Sequence, residues 1–235
     1  MESPDSLARP LETRSPADAD SHRFKVLDRI LASGVVAVVR MSDSKKLIRI
    51  VEAIREGGVT AIEITMTTPN ALAVIDEVSA SMGDAIELGV GSVLDLDQGR
   101  RAIDAGARYI VSPIFKPELI DLAHEHGLPI MPGAFSPTEI QAATEAGADV
   151  VKVFPADIVG MPFFKAVLAP MPHLKLMPTG GVSLTNAGDW IRFGAVAVGV
   201  GSALLDKQAI DEGDFAVLTE NARTLRRGVE TARLL

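Results

Sequence analysis

The chain reads as an α/β protein of the (β/α)8 barrel class, and three observations carry that expectation. The first is a recurring unit of a glycine, a small residue and an apolar β-type stretch. It occurs as Gly58-Val59-Thr60-Ala61-Ile62, Gly106-Ala107-Arg108-Tyr109-Ile110, Gly147-Ala148-Asp149-Val150-Val151 and Gly194-Ala195-Val196-Ala197-Val198, with Gly127-Leu128-Pro129-Ile130-Met131 a looser copy. Each glycine stands where a helix needs a left-handed closing residue, and each copy then opens a strand. The second is the number of such αβ units, about eight in roughly 200 residues, which suits a closed barrel. The third is size: 235 residues, 47% hydrophobic and 23% charged, are enough for one large core. An open doubly wound sheet has the same local grammar and stands as the alternative.

Taken in order, residues 1–21, rich in Pro, Ser, Asp and Ala, are expected to be a disordered extension, and 22–235 a single barrel domain. Phe24, Leu27, Ile30 and Leu31 share one face of an extra helix leading into the first strand. Strands are expected over 35–39, 61–66, 86–90, 108–112, 128–132, 148–153, 174–178 and 195–199, with helices between them. Two helix starts are marked. Thr68-Pro69 reads as an N-cap with proline at N1, and Ser136-Pro137-Thr138-Glu139 as a capping box.

Composition narrows the function classes. A net charge of −8 and a pI near 5.0 argue against nucleic acid or an anionic membrane as partner, although a pocket of backbone N–H groups binds anions without net positive charge. The absence of cysteine excludes disulfides, thiolate nucleophiles and cysteine metal sites, and fits a reducing cytoplasm. The longest uncharged apolar stretch, Phe193 to Leu205, is too short and too glycine-rich to span a bilayer, and no signal peptide is expected.

The most informative residue is Lys152, in Val150-Val151-Lys152-Val153-Phe154-Pro155, where an ammonium interrupts an apolar, β-branched run. Desolvation disfavours the charged form of a buried lysine, and a free amine attacks carbonyl carbons. The alternative is a lysine that snorkels at a strand end or pairs with a carboxylate. Five residues beyond the marker glycines come Glu63, Val111, Lys152 and Gly199, on strands two, four, six and eight. Alternate strands of a barrel contribute to one lumen layer, so Glu63 is expected across the lumen from Lys152, with Ile62, Ile64 and Met66 facing the helices. A purely structural Glu63–Lys152 ion pair is the competing reading. The runs Pro178-Thr179-Gly180-Gly181 and Gly199-Val200-Gly201-Ser202 end strands seven and eight, and glycine turns there expose N–H groups suited to a phosphate. The histidines at 22, 124, 126 and 173 fall outside the strand ends.

These residues match a family. The chain resembles the 2-keto-3-deoxy-6-phosphogluconate (KDPG) and 4-hydroxy-2-oxoglutarate (KHG) aldolases over about residues 24–232. The likeness rests on Ile62-Glu63-Ile64-Thr65 with Pro69, Gly89-Val90-Gly91-Ser92-Val93, Ser112-Pro113, Met131-Pro132-Gly133, Val151-Lys152-Val153-Phe154-Pro155-Ala156 and the two glycine turns. It implies a class I aldolase barrel, usually a trimer, with Lys152 as Schiff-base lysine, Glu63 as general acid/base and no cofactor. It further implies that Ser92 and Thr179 hold the pyruvate carboxylate, that Pro113 lines the pocket, and that Gly180, Gly181, Gly201 and Ser202 take the phosphate. Some members carry an arginine where this chain has Thr67; Arg40, matching an arginine others carry at the end of strand one, stands as the alternative anion contact. The substrates implied are small 2-keto acids, KDPG and also 4-hydroxy-2-oxoglutarate, with the galactonate epimer as alternative. Two rival readings share the glycine turns: a phosphate-binding barrel without a covalent intermediate, which leaves Lys152 idle, and a non-enzymatic phosphosugar-binding scaffold.

Overall fold

The computed structural model describes residues 16–41 and 46–234. Its parallel strands are β1 (Val35–Val39), β2 (Ala61–Thr65), β3 (Glu87–Gly91), β4 (Tyr109–Val111), β5 (Ile130–Met131), β6 (Gly133–Ala134), β7 (Val151–Val153), β8 (Leu176–Pro178) and β9 (Val198–Val200). Around them run α1 (Pro16–Ser33), α2 (Leu47–Glu56), α3 (Ala71–Met82), α4 (Leu96–Asp104), α5 (Pro117–Glu125), α6 (Pro137–Glu145), α7 (Ala156–Leu168), α8 (Ala187–Arg192), α9 (Lys207–Glu212) and α10 (Phe215–Arg233).

The ladders run β5-β4-β3-β2-β1-β9 and β6-β7-β8. A parallel bridge between Thr179 and Gly199, with Val196 N donating to Leu176 O, joins β8 to β9. On the other side Asp149 N donates to Ile130 O and Lys152 N to Pro132 O, so β5 and β6 are one barrel position interrupted at Pro132. Proline has no N–H to give the ladder, but its carbonyl still accepts. The result is a closed barrel of eight positions, not an open sheet.

Two cores follow from strand alternation. Ile62, Ile64, Val151 and Val153 face outward into the layer between strands and helices, with Met66 packed against it. Val36, Ala61, Tyr109, Val111, Met131 and Met177 fill the lumen, and Val26, Leu27 and Ile30 of α1 close its lower end. Below the lumen, fully buried Glu87 pairs with Arg29 of α1 (2.7 Å) and Arg108 (3.0 Å). Burial raises its pKa, and Arg108 and then Arg29 oppose that shift.

Three details depart from the expectations. Helix α1 begins at Pro16, within the span expected as an extension; residues 1–15 lie outside the described residues. Its early turns are held by tertiary contacts, with Ala19 O so near Gly127 that an added Cβ would lie 2.8 Å away, and Arg23 near both Asp20 and Asp149. Phe24 is 49% exposed under the Arg23 guanidinium, and Val26 takes the buried face instead. Thr68-Pro69 is a turn rather than a helix start: Asn70, in a left-handed conformation, precedes α3, and the Thr68 hydroxyl lies 3.4 Å from that of Thr65. The Ser136–Glu139 capping box forms as expected. Among the described residues no helix is long and apolar enough to cross a membrane.

Candidate active site

Because Ile62 and Ile64 pack outward, Glu63 between them enters the lumen, where it is 1% exposed. The carboxyl lies over Gly91 of the neighbouring strand, and a side chain at that glycine would collide with it. The same parity on β7 turns Lys152 inward at 5% exposure, its Nζ 5.2 Å from the centre of the Phe154 ring. Burial raises the Glu63 pKa; Lys152 and, more weakly, Arg40 pull it back down. Amine and carboxyl therefore feel each other inside one lumen. Among the described residues neither Glu63 oxygen has a hydrogen-bond partner. No ion pair joins it to Lys152 or to any other described residue, so the carboxyl is buried without a close charge partner.

Around this pair the remaining candidates sit at strand ends. Thr179 follows β8; its N–H donates to Val153 O, and its buried hydroxyl has no partner among the described residues. That hydroxyl occupies the space a Cβ at Gly199 would need. Ser92, ending β3, has φ of 61°, a costly conformation for a residue with a side chain and one that recurs at functional sites. Pro113, half-buried after β4, lies against Gly133, where any side chain would strike its carbonyl. Thr67 is exposed, its hydroxyl 2.9 Å from that of Thr65, and Arg40 is exposed at the end of β1.

The two glycine turns and Arg40 meet at a cavity of about 530 Å³, lined by Gly180, Gly181, Gly201 and Ser202, with Val38 and Gly199 at its base. Gly180 and Gly181 have φ of 97° and 72°, which glycine adopts without strain. Val38 is the ladder partner of Glu63 and Gly199 the bridge partner of Thr179, so the cavity opens beside the buried pair. Thr67 is not among its lining residues.

Three residues were missed by the sequence reading. Lys46, just before α2, and Lys207, the first residue of α9, line the same cavity. The Tyr109 ring covers Gly89 in the lumen, its buried hydroxyl unpartnered; burial, then Glu63 and Glu87, pushes its pKa well above the usual tyrosine value. The tyrosine was legible as the inward residue two positions before Val111. The two lysines carried no local signal. The histidines at the end of α5 serve the scaffold: His124, in its last turn, meets Asp149, and His126, just after it, meets the Leu122 carbonyl.

A buried amine and an unpartnered buried carboxyl at the loop-bearing end of a (β/α)8 barrel, beside an amide-lined cavity, define the class: a barrel lyase that acts on carbonyl carbons. The model of the KDPG and KHG aldolase family matches residues 26–221. The chain belongs to that family. A 2-dehydro-3-deoxy-phosphogluconate aldolase of Treponema pallidum (strain Nichols) is 36% identical over 197 residues, covering 83% of this chain and 92% of the relative. A probable 2-dehydro-3-deoxy-6-phosphogalactonate aldolase of Rhizobium meliloti (strain 1021) is 36% identical over 181 residues, 77% of this chain and 85% of the relative. Among solved structures, the KDPG aldolase of Legionella pneumophila, holding pyruvate as a covalent carbinolamine intermediate, superposes with a TM-score of 0.79 at 27% identity, covering 85% of this chain and 97% of that one.

Proposed function

We propose that the protein is a class I aldolase that reversibly cleaves KDPG to pyruvate and glyceraldehyde 3-phosphate through an imine on Lys152, and that it also cleaves 4-hydroxy-2-oxoglutarate. The observation that carries this reading is the unpartnered Glu63 carboxyl facing the same lumen as Lys152. The Lys152 amine adds to the C2 ketone, and loss of water from the carbinolamine gives a protonated imine that accepts electrons. Glu63, directly or through water, takes the C4 hydroxyl proton as the C3 to C4 bond breaks, releasing the aldehyde and leaving a pyruvate enamine. Protonation of that enamine at C3 and hydrolysis of the imine return pyruvate and the free amine.

The other groups have roles that their placement supports. The unpaired Thr179 hydroxyl and Ser92 hold the pyruvate carboxylate, Pro113 packs beside the lysine, and Gly180, Gly181, Gly201 and Ser202 receive the phosphate with Arg40. Thr67, turned to Thr65, is left as a minor contact at most. No cofactor takes part, because the protonated imine is the electron sink. We place the enzyme in the cytoplasm as a homotrimer. Leu94, Ile114, Phe135 and Phe154, large apolar side chains exposed on loops after neighbouring strands, support a subunit interface there. The C4 epimer stands as the alternative substrate, since a probable phosphogalactonate aldolase is as similar to this chain as a phosphogluconate aldolase is.

The test is borohydride reduction in the presence of pyruvate, followed by peptide mapping. One adduct per chain, on Lys152, is expected, and Lys152→Ala should lose both adduct and cleavage while keeping its fold. An adduct spread over surface lysines, or none, removes the Schiff-base assignment.

A further inference from the structure

The cavity beside the reactive pair contains more charge than the glycine turns account for. Three of its lining residues are cations, Arg40, Lys46 and Lys207, against one carboxylate, Asp211. In a chain of net charge −8 this is a local reversal of sign, and a local reversal draws an anionic substrate against the field of the whole molecule. The three cations are not equivalent. Lys46 Nζ is already committed, donating to the carbonyls of Ile210 (2.6 Å) and Asp211 (3.1 Å) in the last turn of α9. Arg40 and Lys207 make no hydrogen bond or ion pair with the described residues, and both are exposed to the cavity mouth.

The backbone that carries Lys207 is fixed at both ends. Asp206 accepts from Ala209 N (2.8 Å) at the start of α9, Lys46 holds its end, and Ala209 and Ile210 are buried beneath it. The exposed lysine stem is therefore carried on a fixed mount and lines the same cavity as Gly180, Gly181 and Gly201. Backbone N–H groups engage some oxygens of an anion; a cation lining the same cavity engages the oxygens they leave free.

We infer that Lys207 is a specificity-determining residue for the terminal phosphate of the substrate, and that Lys46 is the positioning residue that holds the helix carrying it. This rests on the proposed phosphate cradle and extends it. Lys207 selects phosphorylated over unphosphorylated 2-keto acids, acting on binding rather than on bond cleavage.

The experiment compares kcat/KM for KDPG and for 4-hydroxy-2-oxoglutarate in wild type, Lys207→Gln, Lys207→Arg, Lys46→Met and Ser202→Asp, with inorganic phosphate as competing ligand. Lys207→Gln should lower the KDPG to 4-hydroxy-2-oxoglutarate ratio by about tenfold, through KM, the scale of one lost charge-assisted contact. It should also weaken inhibition by phosphate and flatten the dependence of KDPG turnover on ionic strength. Lys207→Arg, which keeps the charge, should hold the ratio within about twofold. Lys46→Met should shift it in the same direction as Lys207→Gln, and an unchanged ratio there overturns the positioning role. If Ser202→Asp lowers the ratio and Lys207→Gln does not, the glycine cradle stands and the Lys207 assignment falls. If neither moves it, the phosphate cradle falls as well.

Discussion

Replacing Glu63 by glutamine separates catalysis from stability. The side chain is 1% exposed, lies over Gly91 and has no hydrogen-bond partner among the described residues, so an amide of the same shape fits without new collisions. Loss of a general acid/base costs roughly 10² to 10⁴ in rate, about 2.7–5.4 kcal/mol of barrier. Stability moves the other way with pH. Burial raises the folded-state pKa of Glu63 above its unfolded value of about 4.3, so between the two values the native state binds more protons. The slope of unfolding free energy with pH is then negative: this group's contribution is full below the unfolded pKa and is lost as pH rises through the folded pKa. Glutamine does not titrate and avoids that loss. Pyruvate release coupled to lactate dehydrogenase should show a fall in kcat of at least about a hundredfold, with borohydride trapping partly retained. Thermal melts by circular dichroism should show the Tm of the variant gaining on wild type as the pH rises above the ordinary glutamate range. Turnover within a few-fold of wild type, or a Tm difference that moves against the variant as pH rises, refutes the assignment of Glu63 as a buried, catalytically free carboxyl.

Two further substitutions probe the supports of the site. Gly91→Ala places a methyl group where the Glu63 carboxyl lies, and should cut kcat by about a hundredfold while leaving pyruvate adduct formation on Lys152 intact; a normal kcat shows that Glu63 acts from elsewhere. Arg108→Ala removes one of two partners of fully buried Glu87 at the far end of the barrel, and should cost about 1–3 kcal/mol in urea unfolding at unchanged kcat. A fall in kcat without loss of stability links that end of the barrel to catalysis.

Much of the barrel was legible because its grammar is local. The marker glycines do take left-handed conformations, with φ of 91° at Gly58 and 101° at Gly106, Gly147 and Gly194, since a helix that must stop and turn into a strand needs that geometry within a few residues. The alternation along Ile62-Glu63-Ile64 and Val151-Lys152-Val153 likewise assigned inward and outward faces, because a strand has only two. The start of α1 was not legible: it depends on Arg23 reaching Asp149 and on Ala19 lying against Gly127, contacts made over a hundred residues away along the chain. Nor was the turn at Thr68-Pro69, where a hydroxyl that could cap a helix instead meets Thr65.

Local pattern set the repeat, the inward placement of Lys152 and Glu63, and the glycine turns, each a matter of backbone preference or burial over a handful of residues. Only the closed barrel decided that Glu63 is left without a partner, that Tyr109 lies between two carboxylates, and that Lys46 reaches the carbonyls of Ile210 and Asp211. Closure brings the end of β1 beside the turns after β8 and β9, and the cavity charges of Arg40 and Lys207 exist as a set only because of it. Propensity acts between neighbours in the chain; electrostatics and hydrogen bonding act between neighbours in space, and those are chosen by the way the strands meet.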